Sequence, residues 1–194
     1  MPSRLEKMMT ERLSLNAAEW RAVRSSLSLK PLLKREALVM AGEVCRHVAF
    51  VEQGCLRCFY HSDGKEITAH FQVEGQFSTD YQSLTTQTPT NRTIEAVEPS
   101  MVVLMSYGQL QYLYRTVPAL ESFARAILEK ALVDNQNRLA SFLCDSPEER
   151  YLRLLKESPE VLRRVPQRLI ASYLGITPEA LSRIRNRIRT RRSA

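Results

Sequence analysis

The stretch 167-QRLIASYLGITPEALSRIRN-186 decides how the chain is read. A helix-turn-helix packs two short helices steeply across a tight turn. Each demand of that arrangement is met here. Ala171 is small where the helices approach most closely, and Ile170 and Leu174 flank it with bulk for the interior. Gly175 supplies the positive φ that the turn needs. Ile176 plugs the turn, Thr177 caps the second helix and Pro178 fits its first turn. Leu181, Ile184 and Ile188 recur at i, i+3 and i+7, so one face of that helix is expected to be buried.

The opposite face carries Glu179, Ser182, Arg183, Asn186 and Arg187. The N-terminal turns of such a helix are the part that enters a DNA major groove. There Arg183 can donate two hydrogen bonds to guanine, and Glu179 can accept from cytosine N4. Ser182 can serve several bases, and one bidentate contact gives about 1–3 kcal/mol of discrimination. Thr177 and Arg168, at two helix starts, are expected at the DNA backbone. So are Arg185, Arg189, Arg191 and Arg192.

Charge points the same way. The chain has 194 residues and a net charge of +7. Residues 145–194 hold twelve Lys/Arg against six Asp/Glu, so the excess gathers around the motif. A local basic excess suits a polyanion. A membrane surface would need large apolar residues opposite the basic face, and the one Trp, Trp20, is remote. No apolar run reaches membrane-spanning length, and Met1–Trp20 has no signal-peptide core. A cytoplasmic protein with reduced cysteines is expected.

Upstream, the first thirty residues read as helical, with Ser14 or Asn16 as a cap and Pro31 as the end. Residues 32–104 alternate short apolar runs with turn signals. The sharpest is Asp63-Gly64, a hairpin signature between two strand-like runs. An antiparallel β-roll or barrel follows from this punctuation. Ser83–Asn91 reads as a polar exposed loop. Ser106 caps a short helix. From Pro118 to Leu143 the chain lacks Gly, and Leu120, Phe123, Ile127, Ala131, Leu132, Leu139 and Phe142 fall near a 3.5-residue repeat. That predicts a long helix that pairs with its own copy. Ser146, Pro147 and Glu149 start another helix with a capping box, and Pro159 and Pro166 punctuate the next connection. The fold class is α+β, in three parts. Residues 1–117 form a β-roll sensor domain, 118–144 a dimerisation helix and 145–194 a helix-turn-helix domain.

This order resembles the Crp/Fnr family of transcription regulators over essentially the whole chain. The stretch 146-SPEERYLRLLKESPEVLRRVPQRLIASYLGITPEALSRIR-185 is similar to members common in the Bacteroidetes. The resemblance implies a cyclic-nucleotide-binding-like β-roll, a homodimer, a palindromic double-stranded DNA operator and RNA polymerase as partner. Glu179, Ser182 and Arg183 match the family's E-x-x-S-R arrangement, which implies a TTGA-like half-site. The recognition helix is placed at 178–190.

Two departures stand out. Cyclic-nucleotide binders of the family carry a Gly-Glu pair and, later, an Arg that hold the phosphate. Here Thr79 and Asp80 take the first two places and Thr90 the third, with Arg92 two residues out of register. Phe77, Thr79, Asp80 and Arg92 remain candidate lining of an effector pocket, but cyclic AMP is not expected and the effector is unknown. Secondly, the sequence after the recognition helix is short for the family's β-hairpin wing, so a reduced or absent wing is expected.

Cys55-Leu56-Arg57-Cys58 has metal and redox spacing, yet strand residues three apart point to opposite faces. Small buried strand residues are the simpler reading. The histidines show no catalytic spacing, and no nucleophile elbow or phosphate loop occurs. No enzyme activity, cofactor or metal is expected. Two other readings stay open: a ligand-binding module acting on a protein partner, and a cysteine-based redox switch.

Overall fold

The computed structural model describes residues 3–193. The chain opens with α1 (Ser3–Arg12) and α2 (Ala17–Ser25), and Asn16 and Glu19 close a capping box on the second. Eight strands follow: β1 (Ser28–Leu32), β2 (Ala37–Val39), β3 (His47–Gln53), β4 (Cys55–Ser62), β5 (Lys65–Val73), β6 (Phe77–Ser78), β7 (Arg92–Ala96) and β8 (Ser100–Ser106). They form two antiparallel four-stranded sheets, ordered β1-β8-β3-β6 and β2-β7-β4-β5. Asp63 and Gly64 have φ of 50° and 72° and close the β4–β5 hairpin. Two positive φ values are what a two-residue turn requires to match strand twist.

Two expectations need correction here. The helical region ends before Ser28, and Pro31 lies inside β1. β1 is an edge strand, where a residue without an N–H is tolerated. The Ser83–Asn91 segment is not an exposed loop throughout. It includes part of α3 (Tyr81–Thr86), and Ser83, Leu84 and Thr90 are buried. Its polar groups are satisfied inside: the Ser83 hydroxyl accepts from the Cys45 N–H at 2.9 Å and donates to the Thr88 carbonyl at 2.5 Å.

Three apolar clusters hold the molecule. Leu32, Val51, Leu56, Ile94 and Val102 fill the space between the sheets. On the outer face of the first sheet, Phe50 and Val103 pack under Leu5, Met9, Val23 and Leu113. Leu113 belongs to α4 (Tyr107–Thr116), which Ser106 and Gln109 cap. On the outer face of the second sheet, Cys55, Val73 and Val97 pack with the C-terminal helices.

Those helices are α6 (Pro147–Glu157), α7 (Pro159–Arg164), α8 (Gln167–Leu174) and α9 (Pro178–Ser193). The helix α7 fills the connection that the sequence marks only by its prolines; Pro159 is its first residue, where proline is tolerated. Between the β-roll and these helices runs α5 (Pro118–Cys144), 27 residues long. Of its apolar repeat only Leu120 is buried, whereas Leu132 is 60% and Leu139 62% exposed.

Gly175 ties α5 to the turn between α8 and α9. Its φ is 68°, and a Cβ there would lie 2.8 Å from the Phe142 ring. Gly175→Ala is expected to lower unfolding stability by roughly 1–2 kcal/mol, the usual cost of a side chain in the left-handed region. Urea titration checks this; an unchanged midpoint would mean that the turn relaxes freely.

Candidate nucleic-acid interface and effector site

The helix-turn-helix is built as its sequence demands. Ala171 is fully buried, with Ile170 and Leu174 beside it, and Gly175 ends α8 in the left-handed conformation. The Thr177 hydroxyl accepts from the Ala180 N–H at 3.2 Å and so caps α9. Leu181, Ile184 and Ile188 are buried on the inner face of α9. Glu179, Ser182, Arg183, Asn186 and Arg187 are exposed. The side chain of Arg192 lies outside the described residues.

The sequence-selected side chains do not share one environment. Glu148, at the start of α6, pairs with Arg187 at 3.0 Å and Arg191 at 2.8 Å. Glu179 is held below the usual carboxylate range by its own backbone N–H, the Thr177 hydroxyl and Arg183. Ser182, Arg185, Asn186 and Arg189 line an open groove of about 470 Å³, together with Gln167 from α8. Arg168, the next residue, turns to the other side of α8 and faces the β-roll.

The β-roll and the helix-turn-helix are latched together by groups that sequence reading missed. The Ser172 hydroxyl in α8 accepts from the Thr68 N–H and donates to the Glu66 carbonyl, both at 2.9 Å, as if extending β5. Arg138 of α5 donates to the Tyr173 carbonyl at 2.9 Å and lies 3.7 Å over the Tyr173 ring. Arg150 donates to the carbonyls of Leu174 and Asp145. Arg164 spans Glu74 and Glu98, with bonds to Glu74 of 2.7 and 2.9 Å. Burial raises the Glu74 carboxyl, but Arg164 and the Gly54 N–H outweigh it and bring it down to about 2. No local pattern could reveal these contacts, because the partners of Arg164 lie 90 and 66 residues away in the chain.

In the β-roll the candidate effector residues separate. Asp80 is buried and caps α3 through the N–H groups of Gln82 and Ser83. It also accepts from the Thr90 hydroxyl and pairs with Arg92 at 3.3 Å. Thr79 instead donates to the His47 carbonyl, and Phe77 packs edge-on against Phe50 in the outer cluster. Asp80 and Arg92 thus meet; Phe77 and Thr79 bond elsewhere. His70 of β5 bonds to Asn135 of α5. Burial, then the nearby Arg138 and Arg92, push its imidazole down to about 4. It is neutral at pH 7.

The two C-x-x-C thiols fall in different clusters, Cys55 beneath the helix-turn-helix and Cys58 between the sheets. Burial pushes the thiols up to about 12 and about 11, which removes nucleophilic thiolate at neutral pH. Among the described residues no group of three or more His, Cys, Asp or Glu is placed to hold a metal ion, and no helix is long and apolar enough to cross a membrane.

Comparison with known proteins identifies the fold. Residues 29–117 match the cyclic nucleotide-binding domain family. FixK2 from Bradyrhizobium japonicum is 20% identical, with a TM-score of 0.74, covering 85% of each chain. The c-di-GMP responsive global regulator CLP from Xanthomonas campestris is 17% identical with a TM-score of 0.70, over 90% of this chain and 92% of that one. A protein from Eubacterium rectale, described as a transcriptional regulator of the Crp/Fnr family, is 17% identical with a TM-score of 0.70, over 91% and 85%. A search of curated proteins finds no significant match. Residues 29–117 are thus similar to a cyclic nucleotide-binding domain, and the chain has the fold of these solved regulator structures.

Two outcomes are expected from this geometry. Glu74 has a depressed pKa, so its contribution to the latch is complete above the unfolded value of about 4.3 and is lost as pH falls toward 2. Thermal melts of wild type and Glu74→Gln should differ at pH 5 and converge toward pH 2.5; a constant gap would assign the effect to packing. Iodoacetamide on the native protein at pH 7.5 should label exposed Cys144 and spare Cys55 and Cys58. Rapid labelling of either buried thiol would show that its strand opens.

Proposed function

We propose that the chain is a cytoplasmic, homodimeric transcription regulator of the Crp/Fnr type that binds a palindromic operator through α9. The observation that carries this reading is the exposed set Glu179, Ser182 and Arg183 on a helix whose other face is locked in the core. In this division residues 1–117 are the sensor, 118–144 the dimerisation helix and 145–194 the DNA-binding domain. The sensor end is supported by the cyclic nucleotide-binding match over residues 29–117.

Dimerisation is supported by α5. In a single chain Leu132, Leu139 and Leu143 stand in solvent, and an apolar row of this kind on a 27-residue helix suits a second copy. Twofold pairing of this kind calls for recognition helices about 34 Å apart, one turn of duplex, and hence for a palindromic operator. RNA polymerase is the partner at a promoter so marked. Cyclic AMP is not expected in the β-roll: Asp80 already occupies the α3 N–H groups, the Thr90 hydroxyl and Arg92, the donors its phosphate would need.

Selection of duplexes from a random pool tests the reading. Recovery of a palindrome with TTGA-like half-sites supports it; recovery without sequence preference overturns it. Arg183→Ala is expected to relax one base of each half-site at a cost of about 1–3 kcal/mol. Leu132→Glu with Leu139→Glu should sediment as monomer and lose most affinity for the palindrome; a variant that still sediments as a dimer removes α5 as the interface.

A further inference from the structure

The start of α8 stands between two surfaces. Gln167 lines the groove of the recognition helix with Ser182, Arg185 and Asn186. Arg168, one residue later, lines a small cavity of about 120 Å³ against the β-roll, where Lys34 and Arg35 form the other wall. These two cations sit on a short turn between β1 and β2. The turn is stiff: the Leu33 N–H donates to the Glu36 carboxylate and the Glu36 N–H to the Leu33 carbonyl, both at 2.9 Å. The Arg35 N–H is fixed to the Ala96 carbonyl at 2.8 Å, and Arg35 holds a φ of 69°, a conformation that a free arginine avoids.

Lys34, Arg35 and Arg168 are exposed, and none forms a salt bridge among the described residues. The acid in the cavity wall, Glu95, is already engaged by the buried guanidinium of Arg57 at 2.7 Å. The N-terminus of α8 has no side-chain cap, so its positive end is left facing outward as well. Three cations without a salt bridge and an uncapped helix end, one residue along α8 from the recognition groove, make a surface for a polyanion that runs past α9.

We propose that the DNA-contacting surface extends from the helix-turn-helix onto the β-roll, with Lys34 and Arg35 binding backbone phosphates next to the one held by Arg168. This rests on the DNA-binding reading above and adds the sensor domain to the interface. Phosphate contacts position a protein and carry no sequence information. The turn therefore strengthens binding equally for all operators. It also couples the tilt of the helix-turn-helix on the β-roll to affinity, because both parts must reach one backbone.

Salt dependence tests it. Each phosphate neutralised adds about 0.9 to the slope of log affinity against log salt. The probe is the duplex that the wild-type protein selects, extended by ten or so base pairs on each side. Lys34→Gln with Arg35→Gln should lower the slope by about 2 for each subunit in contact and leave the base preference unchanged. Arg12→Gln with Arg21→Gln removes the same charge from exposed positions on α1 and α2 and should barely move the slope. Equal slopes for wild type and the turn variant would overturn the inference while leaving operator recognition standing. Equal losses in both variants would overturn it too, since the effect would then be net charge. Failure of the wild type to select any duplex would sink the underlying function instead.

Discussion

The outer face of the β4–β5 sheet and the first helix of the helix-turn-helix share one apolar core. Cys55, Val73 and Val97 on one side meet Leu169, Ile170, Ala171 and Leu174 on the other. About fifty residues in short helices bury too little surface to be robust alone. Seating α8 on β5 supplies the missing wall. It also decides where α9 points, because α9 is packed against α8 through Leu181 and Ile184. The position of the exposed face of α9 is therefore a property of the junction, beyond the motif itself.

Polar groups complete that junction and make it directional. Ser172 continues the hydrogen bonding of β5, while Arg138 and Arg150 reach carbonyls at the end of α8 that its own helix cannot satisfy. Arg138 comes from α5, the helix proposed to pair two subunits, and Asn135 of the same helix bonds to His70 in the β-roll. One helix thus touches the β-roll and the helix-turn-helix within a single turn. A shift in α5 would be felt at both, which is the physical requirement for coupling two sites through a rigid element.

The β-roll presents a different balance. The place where a phosphate could neutralise Arg92 holds Asp80, with Thr90 and the first N–H groups of α3 around it. A half-buried guanidinium without a partner would be costly, and the carboxylate removes that cost within the chain. The domain keeps the scaffold of a cyclic nucleotide-binding fold while satisfying its charges internally.

The sequence by itself determined the helix-turn-helix almost to the residue. Ala171, Gly175, Thr177 and the Leu181–Ile184–Ile188 row act within one turn or across one tight bend, so their physics is local. The Asp63-Gly64 hairpin, the cap at Ser106, the capping box at Ser146 and the long α5 were legible for the same reason. It misplaced what depends on distant partners. Pro31 lies in a strand because β1 is an edge, and Ser83–Asn91 folds inward because Cys45 and Asp80 complete its hydrogen bonds. Only the tertiary structure decided that Phe77 leaves the candidate pocket, that Asp80 holds Arg92, and that Arg164 finds Glu74 and Glu98. It also turned Arg168 toward Lys34 and Arg35. Contacts between residues far apart in the chain carry no spacing signal, so the helix-turn-helix could be read from its own stretch while the junction and the pocket needed the whole fold.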